Sequence, residues 1–103
     1  MACQVKIELV DGDPNLLLLG RLWLILPGPD KIIASNVSIT RTRPYMREFP
    51  PGRYSYVFVP RGAGEFSTRA KDLTHDQELG KLKSQVAGPS GPALFALHFE
   101  VAG

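Results

Sequence analysis

The sequence predicts a mainly β protein: an antiparallel β-sandwich of about six strands, with one short helix between strands five and six. Three observations carry this expectation. Apolar and polar residues alternate with period 2 in several runs; clusters of proline and glycine separate the runs; and the alternation gives way to helical spacing only once, after Thr74. A βαβ arrangement would need helices between most strands, and the runs leave no room for them.

The 103 residues, 44% hydrophobic and 21% charged, fall in the globular range and predict one domain over residues 1–103. The single cysteine, Cys3, excludes an internal disulfide framework and a cysteine-rich zinc module. A net charge of +2 is too balanced to mark a nucleic-acid binder by composition.

Cys3, Val5, Ile7 and Leu9 alternate with Gln4, Lys6 and Glu8, giving strand one with one wet face. Asp11-Gly12-Asp13-Pro14-Asn15 reverses the chain. Leu16 to Leu26 forms strand two, and Pro27-Gly28-Pro29-Asp30 the next turn. From Lys31 to Arg43 runs strand three, with Ile33, Val37 and Ile39 inward. Pro44 to Gly52, with three prolines, reads as a loop crossing between sheets. In strand four, Arg53 to Val59, Tyr54, Tyr56 and Phe58 share one face and Ser55, Val57 and Val59 the other. After the turn Pro60-Arg61-Gly62-Ala63-Gly64, strand five sets Phe66, Thr68 and Ala70 against charged neighbours. Thr74 stands three residues before Gln77, a capping-box spacing, and Leu79, Leu82 and Val86 follow at helical intervals, so a helix is expected over Thr74–Ala87 with a Gly88-Pro89 stop. Strand six, Leu94 to Val101, turns Phe95, Leu97, Phe99 and Val101 inward and His98 and Glu100 outward.

The opening residues carry charge at Lys6 and Glu8, unlike a secretory signal, and the longest apolar run is 11 residues against the roughly 20 that span a bilayer as a helix. A cytoplasmic location without a membrane span is the default expectation.

Phe49-Pro50-Pro51-Gly52-Arg53-Tyr54-Ser55-Tyr56-Val57-Phe58 resembles the Pro-Pro-Gly-x-Tyr lead-in to a late strand of prealbumin-like and immunoglobulin-like sandwich modules. The match covers about ten residues, and the cysteine pair of antibody domains is absent. The resemblance implies a non-catalytic accessory or interaction module, with the tyrosine anchoring the corner.

Strand two is the most informative segment. Leu16, Leu18, Leu22, Leu24 and Leu26 share one face, while Leu17, Leu19, Trp23 and Ile25 share the other with Arg21. A sandwich strand needs one apolar face, so the second must be covered by the expected helix, a loop, a protein partner or a second copy of the chain. Leu17, Leu19, Arg21, Trp23 and Ile25 are therefore the candidate partner-binding residues.

A second surface is offered by Arg41, Arg43, Arg47 and Arg53 interleaved with Tyr45, Tyr54 and Tyr56, a combination suited to anionic polymers, nucleic acid or glycans through bidentate bonds and stacking. The competing reading is a solvated strand face with the tyrosines in the core. His98 and Glu100 share a face, but Cys3 is expected to point inward, away from them, so no metal site is expected. Asp11-x-Asp13-x-Asn15 imitates a calcium loop, yet Leu16 and Leu22 stand where that loop needs glycine and glutamate. There is no nucleophile elbow, phosphate loop or paired-carboxylate signature, and Ser90 lacks the strand-to-helix setting of a hydrolase serine. The expected function is a non-enzymatic interaction module without a cofactor.

Overall fold

The computed structural model describes residues 2–86 and 94–102. Eight strands form two antiparallel sheets: β1 (Cys3–Asp11), β2 (Leu17–Ile25), β3 (Lys31–Ile39), β4 (Tyr45–Phe49), β5 (Gly52–Arg61), β6 (Gly64–Asp72), β7 (Gln77–Val86) and β8 (Phe95–Val101). One sheet has the order β4-β1-β6-β7 and the other β3-β2-β5-β8. Each is a four-stranded layer, and their inner faces share one apolar core.

The core follows the alternation. Val5, Ile7 and Leu9 of β1 and Phe66 and Ala70 of β6 are buried on one side; Leu18 and Leu22 of β2, Tyr54, Tyr56 and Phe58 of β5, and Leu97 and Phe99 of β8 are buried on the other. Edge-on and stacked rings fill the gap: Phe49 meets Tyr54 and Phe99 at 4.8 and 5.4 Å, and Phe66 meets Phe58 and Phe95 at 6.0 and 5.2 Å. Tyr54 Oη donates to the Pro50 carbonyl at 2.6 Å, which ties the Pro-Pro-Gly corner to the strand it precedes. Gly20 lets β2 press onto β5, because a Cβ there would run into the Val57 carbonyl and stand 2.6 Å from Phe58 Cα.

The sequence-based expectation of mainly β structure holds, but with eight strands in place of six and no helix among the described residues. Tyr45–Phe49, read as part of a crossing loop, is an edge strand paired to β1 from Cys3↔Phe49 to Ile7↔Tyr45. Its flanking prolines, Pro44 and Pro50, lie outside the paired residues and so cost no ladder bond. Strand three ends at Ile39, and Thr40 and Arg43 close a tight turn with reciprocal backbone bonds of 3.2 Å.

The expected helix from Thr74 is β7, paired to β6 from Gly64↔Val86 to Asp72↔Gln77. The register slips between Ala70 and Lys71, which pair with Gly80 and Glu78, so Leu79 is an extra residue in a bulge. A bulge puts residues three apart on the same side, and this is how Leu79 and Leu82 both pack against the core while imitating helical spacing. The apparent cap is also spent elsewhere: Thr74 Oγ1 accepts the Gln4 N–H at 3.0 Å, and Asp72 Oδ1 accepts the Thr74 and His75 N–H groups at 2.9 and 3.1 Å. The end of that expected helix, with Gly88-Pro89, and Ser90 lie outside the described residues. No helix among the described residues is long and apolar enough to cross a membrane.

Candidate functional site: an apolar outer sheet face

The register of the second sheet aligns the outward residues of its strands. Leu17, Leu19, Arg21, Trp23 and Ile25 of β2 stand opposite Arg61, Val59, Val57, Ser55 and Arg53 of β5, and the last three of these stand opposite Ala96, His98 and Glu100 of β8. Ile32 of β3 pairs with Trp23 on the other side. The five candidate partner residues of β2 are thus brought together, and the structure adds Val57, Val59 and Ile32, which reasoning from strand two alone did not include. The alternation of Ser55, Val57 and Val59 was a readable signal; what was missing was that β5 lies beside β2.

Because β7 belongs to the other sheet, the expected helical lid over this face does not exist, and no described residue takes its place. Leu17, Leu19, Trp23, Ile25, Val57 and Val59 shield one another to half-burial, and Ile32 remains 40% exposed. Leu19, Trp23, Val57, Val59 and Leu94 line a concavity of about 430 Å³ with Arg21 at its side. Ser55, between Trp23 and His98 in register, is buried, and its Oγ has no hydrogen-bond partner. Arginines edge the patch: Arg53 pairs with Glu100 at 3.4 Å, whereas Arg21 and Arg61 have no ion-pair partner among the described residues.

The Arg- and Tyr-rich stretch is not gathered into one surface. Tyr54 and Tyr56 are core residues, 3% and 0% exposed, so their rings cannot stack on a ligand. Burial raises both phenols above their usual pKa, most strongly at Tyr56, whose hydroxyl donates to the Val37 carbonyl at 2.9 Å. Arg41 donates to the Gly12 carbonyl at 2.7 Å, and Arg47 reaches from β4 to the Ile33 carbonyl of β3 at 3.1 Å, stitching the two sheets at one edge. Arg53 belongs to the outer face just described. Arg43 and half-buried Tyr45 remain at the β3–β4 turn and in β4.

A separate polar cluster lies at the β6–β7 turn, and reasoning from sequence missed it. Asp72 Oδ2 is 2.7 Å from His75 Nδ1, and Cys3 Sγ is 3.8 Å from the same nitrogen. From sequence, His75 stands at the start of the expected helix and Asp72 between that helix and strand five; only the β1–β6 pairing brings Cys3 to them. His98 and Glu100, the polar pair first weighed with Cys3, sit on the other sheet.

No protein family, curated protein or solved structure matches the chain.

The polar cluster is not wired as a thiol nucleophile. Desolvation, then the nearby Asp72 charge and its hydrogen bond, push the Cys3 thiol above its usual pKa, the opposite of activation. Desolvation alone would also raise Asp72, but the His75 side chain, the backbone N–H groups of His75 and Thr74, and the His75 charge together hold its carboxyl below the usual range. A catalytic imidazole must offer one nitrogen to the nucleophile and the other to the carboxylate, whereas here Nδ1 serves both neighbours. The apolar face, in contrast, has the make-up of a protein interface: an aromatic and aliphatic centre with arginines at its margin.

Proposed function

We propose that the protein is a non-catalytic β-sandwich interaction module that docks on another protein through the outer face of the β3-β2-β5-β8 sheet. The observation that carries this reading is the run of Leu17, Leu19, Trp23, Ile25, Val57 and Val59 on one face with no described element over it. The prealbumin-like and immunoglobulin-like resemblance of residues 49–58 agrees with an accessory role. Contacts would centre on Trp23, with Leu19 and Val57 beside it and Arg21 at the margin.

Charge favours a partner that brings carboxylates. A second copy of the chain would add Arg21, Arg53 and Arg61 to the same three arginines, against one glutamate, Glu100, on each face. Trp23→Glu places a charge at the centre of the face without touching the core. Affinity capture with wild-type and Trp23→Glu chains should retain a protein on the first and lose it on the second, while sedimentation reports whether that protein is another copy. Equal capture by both chains, with the wild type sedimenting as a monomer, would remove the support for this face as a docking surface.

A further inference from the structure

We propose that Cys3, Asp72 and His75 form a binding site for a divalent cation of the zinc class, independent of the docking face. The three donor atoms lie within 4.8 Å of one another, drawn from the first residue of β1, the last of β6 and the turn that follows. Thiolate, imidazole and carboxylate are the ligand types zinc takes, and in a tetrahedral site with Zn–S about 2.3 Å and Zn–N about 2.0 Å the sulfur and nitrogen stand about 3.6 Å apart. The Cys3 Sγ to His75 Nδ1 separation is 3.8 Å. Asp72 Oδ2 and His75 Nδ1, now hydrogen-bonded at 2.7 Å, have to separate by roughly half an ångström for both atoms to bind one ion.

The fixed and movable parts suit that adjustment. Cys3 and Asp72 are 5% and 4% exposed, and Asp72 is anchored through its other oxygen, Oδ1, by the Thr74 and His75 N–H groups. The His75 side chain is 60% exposed, so its ring can shift without disturbing the core. The three residues line one cavity of about 480 Å³, together with Gln77, Leu79, Glu100 and Ala102. Three protein ligands leave a fourth position toward that cavity for water. On binding, the Cys3 thiol gives its proton to solvent and the sulfur bonds the ion. Any proton on His75 Nδ1 passes to solvent, and the ring binds through that nitrogen in its neutral form, protonated at the outer Nε2.

Titration of the untagged full chain with Co²⁺ tests the site, because a thiolate-to-cobalt charge-transfer band arises only when a cysteine sulfur is a ligand. The wild type should show the band saturating at one ion per chain and should lose it to added Zn²⁺. Cys3→Ser should abolish the band, His75→Ala should weaken binding about tenfold or more, and His98→Ala should leave it unchanged. His75 is exposed, so its replacement leaves the core intact, which the far-ultraviolet circular dichroism of the variant confirms. Absence of the band from the wild type, or an unchanged affinity in His75→Ala, overturns the proposal.

Discussion

Ser55 and Tyr56 are neighbours in β5 that point to opposite sides of one sheet, and both carry a buried hydroxyl. The Tyr56 hydroxyl reaches over β2 to the Val37 carbonyl of β3, next to the bulge where Asn36 takes a φ of 55° and the β2–β3 ladder is interrupted. That bond satisfies a carbonyl at a break in the ladder, so Tyr56→Phe should destabilise the fold by about 1–2 kcal/mol in chemical denaturation. The change removes an oxygen and no ring volume, so a loss much larger than this would mean that the ring itself had moved. Ser55 Oγ has no such partner. The sequence shows that Tyr54, Tyr56 and Phe58 share a face, since period 2 is unmistakable there. It does not show which face is inside, because Val57 and Val59 make the opposite side nearly as apolar. Pairing settles this, by placing Tyr56 beside Leu22 and Leu97, both fully or almost fully buried.

Among the elements, β7 shows how local and tertiary signals conflict. Thr74, Gln77, Leu79, Leu82 and Val86 satisfy a helical template, yet Lys81, Lys83 and Gln85 alternate with Leu82, Ser84 and Val86 as an edge strand requires. The first pattern is produced by one inserted residue at Leu79, and nothing local marks a bulge in advance. β4 was obscured differently: five residues between prolines are too few to display a period, and their pairing to β1 spans some forty residues of sequence. Gly80 separates the two readings of residues 77–86 in solution. In a helix interior Gly80→Ala would stabilise by about 1 kcal/mol. In β7 an added Cβ meets the His98 carbonyl and comes within 3.1 Å of Phe99 Cβ, because β7 and β8 close one side of the sandwich. Thermal unfolding of Gly80→Ala should therefore show a lower midpoint, by a free-energy loss of about 1–3 kcal/mol. A raised midpoint would favour the helix.

At the scale of the whole molecule the two outer faces differ in kind. On the β4-β1-β6-β7 sheet, Lys6, Glu8, Arg69, Lys71, Lys81 and Lys83 project outward, and Arg69 binds Glu8 through Nε and Nη2 at 3.0 and 2.7 Å. That face is complete in water: its charges are solvated or paired, and surface pairs of this kind add little stability. On the opposite face the leucines, valines and tryptophan of β2 and β5 are half-buried against one another, with Ile32 and Leu94 beside them among the described residues. Since both sheets fill the shared core from their inner sides, the apolar residues of the β2–β5 outer face lie outside the core cluster, and among the described residues no element covers them. This asymmetry separates an apolar docking surface from an anionic-ligand surface. Docking centred on Trp23 and Val57 should persist when ionic strength rises from about 0.05 to 0.5 M, apart from a modest loss at the Arg21 margin, because only exposed charges are screened. Binding carried by arginines on a polyanion would fall by orders of magnitude over the same range. Val57→Lys should abolish docking, while Lys81→Glu, which reverses a charge on the other sheet, should leave the affinity within about twofold, as followed by Trp23 fluorescence during titration with the captured partner. If Lys81→Glu proves the more damaging of the two, the charged sheet is the binding side and the assignment of faces is reversed.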